Sequence, residues 1–183
     1  MRKILSELIL WLLGWEVIGP KKYPKKCVVI AAPHTSNWDF LIGRCYGYIV
    51  GINTRYLIKS ELFVPILGTL FRWNGGIPVY RDSNNNIVDQ ITERFNESEE
   101  LILAITPEGT RSKVEKWKMG FYHIANNANV PIWILVMDFG NKRIGIINEI
   151  TPTGDIEKDM QFIQNQFKNI KGKIPENYNT IIR

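Results

Sequence analysis

The sequence is poor in the residues that most often announce chemistry. Its 183 residues include two cysteines and two histidines. Cys27 and Cys45 are too few for a disulfide framework, and their spacing suits neither a zinc pair nor a redox dithiol. They read as small apolar residues in a reducing compartment. No His-x-x-x-His or Cys-x-x-Cys pair is present, so no metal site is expected. No Gly-x-Ser-x-Gly elbow offers a serine nucleophile. Nothing repeats at a fixed period, which excludes a solenoid. No apolar run approaches the roughly 20 residues of a bilayer-spanning helix. Residues 4–18 come nearest, with eleven apolar residues out of fifteen, but Glu7 and Glu16 interrupt them. No small-residue cleavage site separates that run from the 19-GPKKYPKK-26 stretch, so it does not read as a secretory signal.

What is present is a globular composition, 45% apolar and 22% charged, with a net charge of +5. The charge favours anionic partners: nucleic acid, an acidic lipid surface or a phosphorylated small molecule. The first apolar run reads as a helix within residues 1–19, carrying Trp11 and Trp15 and followed by four lysines at 21, 22, 25 and 26. Tryptophan at headgroup depth with lysine beside it suits a helix lying in a membrane interface. The alternative is a helix packed on the protein's own core beside a solvated lysine loop.

Short apolar runs predict strands at 27–32, 54–58, 77–80, 101–106, 130–137 and 142–149. Asn141 suits the turn between the last two. Helical patterns fall between them, at 37–50, in one or two pieces of 61–73, from a cap within Asn84–Asn86 to about 96, at 117–127 and at 155–171. Strands alternating with helices predict an α/β fold, a single domain over residues 1–183 with a mostly parallel or mixed central sheet flanked by helices.

Two polar stretches follow predicted strands, where functional groups of α/β folds collect. The first is 31-AAPHTSNWDF-40. Ser36-x-x-Asp39 has the form of a capping box, which makes Asp39 a helix starter and His34 a polar loop residue. The same spacing suits a general base and its orienting carboxylate: Asp39 fixes the His34 tautomer and leaves the other ring nitrogen to take a proton. The second stretch is 106-TPEGTRS-112, where Gly109 permits close backbone approach and Arg111 suits bidentate phosphate recognition. Two weaker stretches are 75-GGIPVYR-81 and 130-VPIWIL-135.

These four blocks, in this order, resemble the glycerolipid acyltransferase family, whose bacterial members include 1-acylglycerol-3-phosphate acyltransferases. The matches are His34 and Asp39 to its His-x4-Asp motif, Gly76 to Arg81 to its Gly-rich block ending in Arg, 107–111 to its Pro-Glu-Gly-Thr-Arg block and 130–132 to its Val-Pro-Ile block. Lys59, in 59-KSEL-62, falls where the family carries a Lys-x-Glu-Leu element. The likeness spans roughly residues 15–150. Thr106, where the family often has Phe, and Tyr80, where many members have Asp, depart from the pattern.

The resemblance implies acyl transfer from a thioester to the hydroxyl of a lysophospholipid such as 1-acylglycerol-3-phosphate. His34 is the base and Asp39 its partner. Arg81, Arg111 and Lys59 hold an acceptor phosphate, and Glu108, Gly109 and Thr110 shape that pocket, with Arg111 as counter-charge to Glu108. The implied co-substrate is acyl-CoA or acyl carrier protein, with no further cofactor. The implied setting is the cytoplasmic face of a membrane, held through residues 1–26. His123, inside a predicted helix, reads as structural. The alternative acceptor is another lyso-lipid, for example one with an amino-acid headgroup. A non-catalytic protein binding acidic headgroups shares the charge and the first helix, but has no need of His34, Asp39 or 107–111. Nucleic acid is not expected as a partner, because the aromatics lie in apolar runs rather than among basic residues.

Overall fold

The computed structural model describes residues 1–80 and 86–179. Strand β2 (Lys26–Ala32) is apolar on both faces. Val28, Ile30 and Ala32 face one buried cluster, while Cys27 and Val29 face another. Strand β6 (Ile132–Asp138) repeats the pattern: Ile132, Ile134 and Val136 on one face, Trp133, Leu135 and Met137 on the other. A strand buried on both faces belongs at the centre of a sheet with helices on each side.

That sheet has seven strands among the described residues, in the order β1-β7-β6-β2-β5-β3-β4. The remaining strands are β1 (Glu16–Ile18), β3 (Thr54–Lys59), β4 (Gly76–Val79), β5 (Leu101–Ile105) and β7 (Arg143–Ile150). All pairs are parallel except β6 with β7, which form a hairpin. In that hairpin the Asn141 side chain donates to Asp138 Oδ2 at 2.7 Å, and Lys142 takes the left-handed backbone conformation. Helices α1 (Arg2–Leu12) and α2 (Trp38–Val50) cover one face, contributing Leu10, Ile42, Cys45 and Tyr46 to its cluster. Helices α4 (Ile87–Glu97), α5 (Gly120–Asn127) and α6 (Ile156–Phe167) cover the other with Ile91, Phe95, Phe121, Ile124, Met160, Ile163 and Phe167. A 3-10 turn at Ser60–Leu62 and α3 (Leu67–Trp73) link β3 to β4.

The single α/β domain and its mixed sheet agree with the expectation, and the ends of the first and last helices do not. The first helix stops at Leu12, not 18 or 19, because Gly14 takes a left-handed φ of 71° and turns the chain. Residues 16–18 then pair with β7 as an edge strand. The last helix ends at Phe167, short of 171. Asn86 caps α4, accepting from the Val88 amide at 3.0 Å, while Asn84 and Asn85 lie outside the described residues.

Candidate active site

Strands β2, β5, β3 and β4 are neighbours and run parallel, so their carboxyl ends share one edge of the sheet. That edge receives His34 after β2, residues 106–111 after β5 and Lys59 at the end of β3. Arg81 follows β4 and lies outside the described residues. A parallel sheet thus collects residues far apart in sequence at the position where ligands bind in such folds.

His34 Nδ1 lies 3.1 Å from Asp39 Oδ2. The carboxylate is buried, with 1% of the side chain exposed, and the imidazole keeps 14% exposure. Oδ2 also accepts from the backbone amides of Thr35 at 2.7 Å and Ser36 at 2.8 Å, and Oδ1 accepts from Ser36 Oγ at 3.0 Å. Four donors therefore hold one carboxylate in place. The expected capping box is half formed. Asp39 reaches back to the Ser36 amide as a box residue does, but the helix cap is Asn37 and Ser36 Oγ donates to Asp39 instead of capping. The charge of Asp39 favours a proton on Nδ1, which leaves the Nε2 lone pair to accept one.

The loop after β5 closes on itself. The Gly109 amide donates to Thr106 O at 3.0 Å and the Lys118 amide to Pro107 O at 2.8 Å. Gly109 has a φ of 67°. Gly109, Thr110 and Arg111 are exposed, and Thr110 Oγ1 accepts from the Ser112 amide at 3.3 Å. Lys59 is exposed as well.

Glu108 points the other way. It is 4% exposed, and its Oε1 accepts the His34 amide at 2.9 Å while Oε2 is buried without a hydrogen bond. The partner it shows is therefore the His34 backbone rather than the expected Arg111. Burial raises its carboxyl above the ordinary carboxylate range, against the opposing pull of its own amide and the His34 amide.

Sequence reasoning passed over two neighbours of this edge. Lys118 lies so close to Gly109 that an added Cβ would sit 3.1 Å from its Nζ. Thr35 is buried against Asp39. Neither has a motif spacing to mark it. His123 is exposed on α5, edge-on to Tyr122. Burial, with the Glu149 charge adding to it, pushes the Cys27 thiol up to about 12; burial also raises Cys45, so neither is an activated thiolate. Among the described residues, no cluster of three or more His, Cys, Asp or Glu side chains is placed to hold a metal.

A protein-family model described as Acyltransferase matches residues 14–138, which hold His34, Asp39 and the 107–111 block. A probable 1-acyl-sn-glycerol-3-phosphate acyltransferase of Mycoplasma pneumoniae is 30% identical over 140 residues, 70% of this chain and 51% of that protein. The chain thus spans about half the length of that curated relative. The crystal structure of the 1-acyl-sn-glycerophosphate (LPA) acyltransferase PlsC of Thermotoga maritima superposes with a TM-score of 0.63 at 18% identity, over 91% of this chain and 75% of that one. That likeness is one of fold.

Proposed function

Because the chain belongs to the Acyltransferase family, we propose that it moves a fatty acyl group from a thioester, acyl-CoA or acyl carrier protein, to the hydroxyl of a lysophospholipid in phospholipid biosynthesis. The preferred acceptor in this reading is 1-acylglycerol-3-phosphate. The observation that carries it is the His34–Asp39 pair on the same sheet edge as the exposed Thr110–Arg111 loop. His34 Nε2 takes the acceptor hydroxyl proton as that oxygen attacks the thioester carbonyl. The new C–O bond forms, the C–S bond breaks, and the proton passes from Nε2 to the departing thiolate. Asp39 holds the ring and stabilises the imidazolium between the two transfers. Arg111, Lys59 and Arg81 are assigned to the acceptor phosphate. The steps balance with no cofactor beyond the thioester co-substrate.

We further place the enzyme on the cytoplasmic face of a membrane, as a peripheral or monotopic protein. The support is the outer surface of the first helical layer. In α1, Ser6 is buried while Ile4, Leu5, Leu8, Trp11 and Leu12 are exposed, Trp11 at 72%. In and before α3, Leu62, Val64, Ile66, Leu67, Leu70 and Trp73 are exposed, Ile66 at 84%. Arg2 joins the two surfaces, lying 4.3 Å from the Trp73 ring centroid. With Lys21, Lys22 and Lys25 exposed nearby in sequence, this surface suits the interface of an anionic bilayer. No described helix is long and apolar enough to cross one.

The test is thiol release from a long-chain acyl-CoA, with and without a lysolipid panel in micelles, for wild type and His34→Ala. The panel includes an amino-acid-headed lysolipid, and products are resolved by chromatography. Release that needs one lysolipid and falls about 10²- to 10⁴-fold in the variant is expected. Equal activity in the variant would remove His34 from the mechanism. Silence with both acyl-CoA and acyl carrier protein would leave a non-catalytic lipid-surface protein as the better reading.

A further inference from the structure

Residues 171–179 run along the catalytic edge after α6 and lie wholly beyond the family-matched segment 14–138. At one end they are fastened to the tip of β6. Phe139 N–H donates to Lys171 O at 2.9 Å, and Lys171 N–H donates to Asp138 Oδ1 at 3.3 Å. The chain then passes directly under the His34 loop. A Cβ added at Gly172 would sit 2.8 Å from both Thr35 Cγ2 and Thr35 Oγ1, and 3.3 Å from Pro33 Cβ. Only a residue without a side chain allows that approach. The next turn makes a bond: Ile174 N–H donates to Thr35 Oγ1 at 3.2 Å, across 139 residues of sequence. Thr35 in turn gives its own amide to Asp39 Oδ2, the oxygen that holds His34.

The far end reaches the other half of the site. A 3-10 turn at Pro175–Asn177 delivers Tyr178 into the same core cluster as Trp117. Burial first, and the Glu108 charge second, raise the Tyr178 phenol. Asn179 Nδ2 then donates to Val114 O and Glu115 O, both at 3.1 Å, just past the exposed Thr110–Arg111 turn.

We propose that residues 171–179 form a positioning strap that fixes the His34–Asp39 loop relative to the acceptor-binding loop 106–118. This rests on the acyl-transfer reading. Residues 33–37 and 106–118 lack regular structure, and the reaction needs the acceptor oxygen held within bonding reach of His34 and the thioester at once. A misplacement of about 1 Å costs on the order of 10²-fold in rate. The strap bonds to one loop through Thr35 and to the other through Asn179, and so braces from outside the direct bond from the His34 amide to Glu108 Oε1. Thr35, Gly172 and Asn179 are positioning residues, acting through the His34–Asp39 pair and the 106–118 loop.

The experiment is a double-mutant cycle in kcat, using acyl-CoA and the accepted lysolipid, with every variant assayed well below its own Tm. Thr35→Val removes the acceptor oxygen but keeps the shape, Asn179→Ala cuts the far anchor, and Thr35→Ser retains the oxygen. Each of the first two should lower kcat about 10- to 100-fold with KM for the acyl-CoA unchanged. The double variant should be no worse than the poorer single, because one cut already frees the strap. Thr35→Ser should recover most of the rate. Should Thr35→Val not fold, Gly172→Ala takes its place in the cycle. Losses that multiply in the double variant, or that follow Tm instead of the hydrogen bond, would overturn the strap while leaving an active wild type. A wild type silent with every thioester and lysolipid would overturn the acyl-transfer reading, and the strap with it.

Discussion

The two helical layers of this protein solve opposite problems. Helices α4 and α6 keep their large apolar residues inward: Ile91 and Phe95 in one, Met160, Ile163 and Phe167 in the other are buried. Beyond Tyr80, Ile147 is the one large apolar side chain strongly exposed among the described residues. Residues 1–73 behave differently. There α1, the start of α2 and α3 with its approach carry Ile4, Leu8, Trp11, Trp38, Phe40, Leu41, Ile66, Leu70 and Trp73 in the open. Both layers bury a core against the sheet. Only one of them carries a second apolar surface that no described residue covers. Monomeric proteins rarely leave so large a patch to water. One layer holds the fold; the other holds it too and leaves apolar side chains exposed, the surface we propose meets a lipid phase.

The comparison breaks most sharply with paired substitutions. Ile91→Ala, in the closed layer, should cost about 2–5 kcal/mol of stability in a denaturant titration. It should leave vesicle binding of the folded fraction unchanged. Arg111→Ala comes next in size, because a charge-assisted bond to phosphate is worth about 1.5–3 kcal/mol. It should raise KM for a phosphorylated acceptor about 10- to 100-fold and spare an uncharged one, with no change in vesicle binding. Equal losses with both acceptors would take Arg111 away from the phosphate. Leu8→Gln probes the open layer. Half of Leu8 is already covered, so the remaining apolar surface is worth about 1–1.5 kcal/mol, or about 10-fold in partition onto anionic vesicles. Its Tm in detergent-free buffer should stay put. A fall in Tm with unchanged partition would turn α1 into an ordinary core helix.

Much of this was legible in sequence because the signals are local. Runs such as 27-CVVIAA-32 and 132-IWILVM-137 have no amphipathic reading and became central strands. His34 and Asp39 are five residues apart, so their meeting needed only one turn. The failures share a cause as well. Val17 and Ile18 extend the apolar run of the first helix, and only pairing with β7, more than a hundred residues away, makes them a strand. The helix stop at Gly14 was there to be read, but apolar continuity argued against it. By the resemblance, Glu108 belongs beside Gly109 and Thr110 in the acceptor pocket. Its true partner is the amide of His34, 74 residues earlier. Thr35, Gly172 and Ile174 carry no local mark at all, since their importance lies in a contact across 139 residues.

The smallest expected effect concerns Glu108, whose Oε1 accepts the His34 amide. Glutamine keeps an acceptor for the His34 amide but cannot ionise. The folded carboxyl titrates above its ordinary value of 4.5 because burial disfavours the charge. The unfolded carboxyl titrates near that value. Between the two the folded chain holds the extra proton, so wild-type stability falls as pH rises through that window. Glu108→Gln has no such loss. The Tm difference between them, followed from about pH 4 to about pH 8, should therefore be level at the acid end and drift in favour of glutamine above 4.5. A drift in favour of wild type would mean that the carboxylate is stabilised in its charged form. The Lys118 ammonium lies beside Gly109 in the same loop. Glu108 would then belong with the cations of the acceptor pocket, and the wall behind His34 would be part of the binding site instead of part of the core.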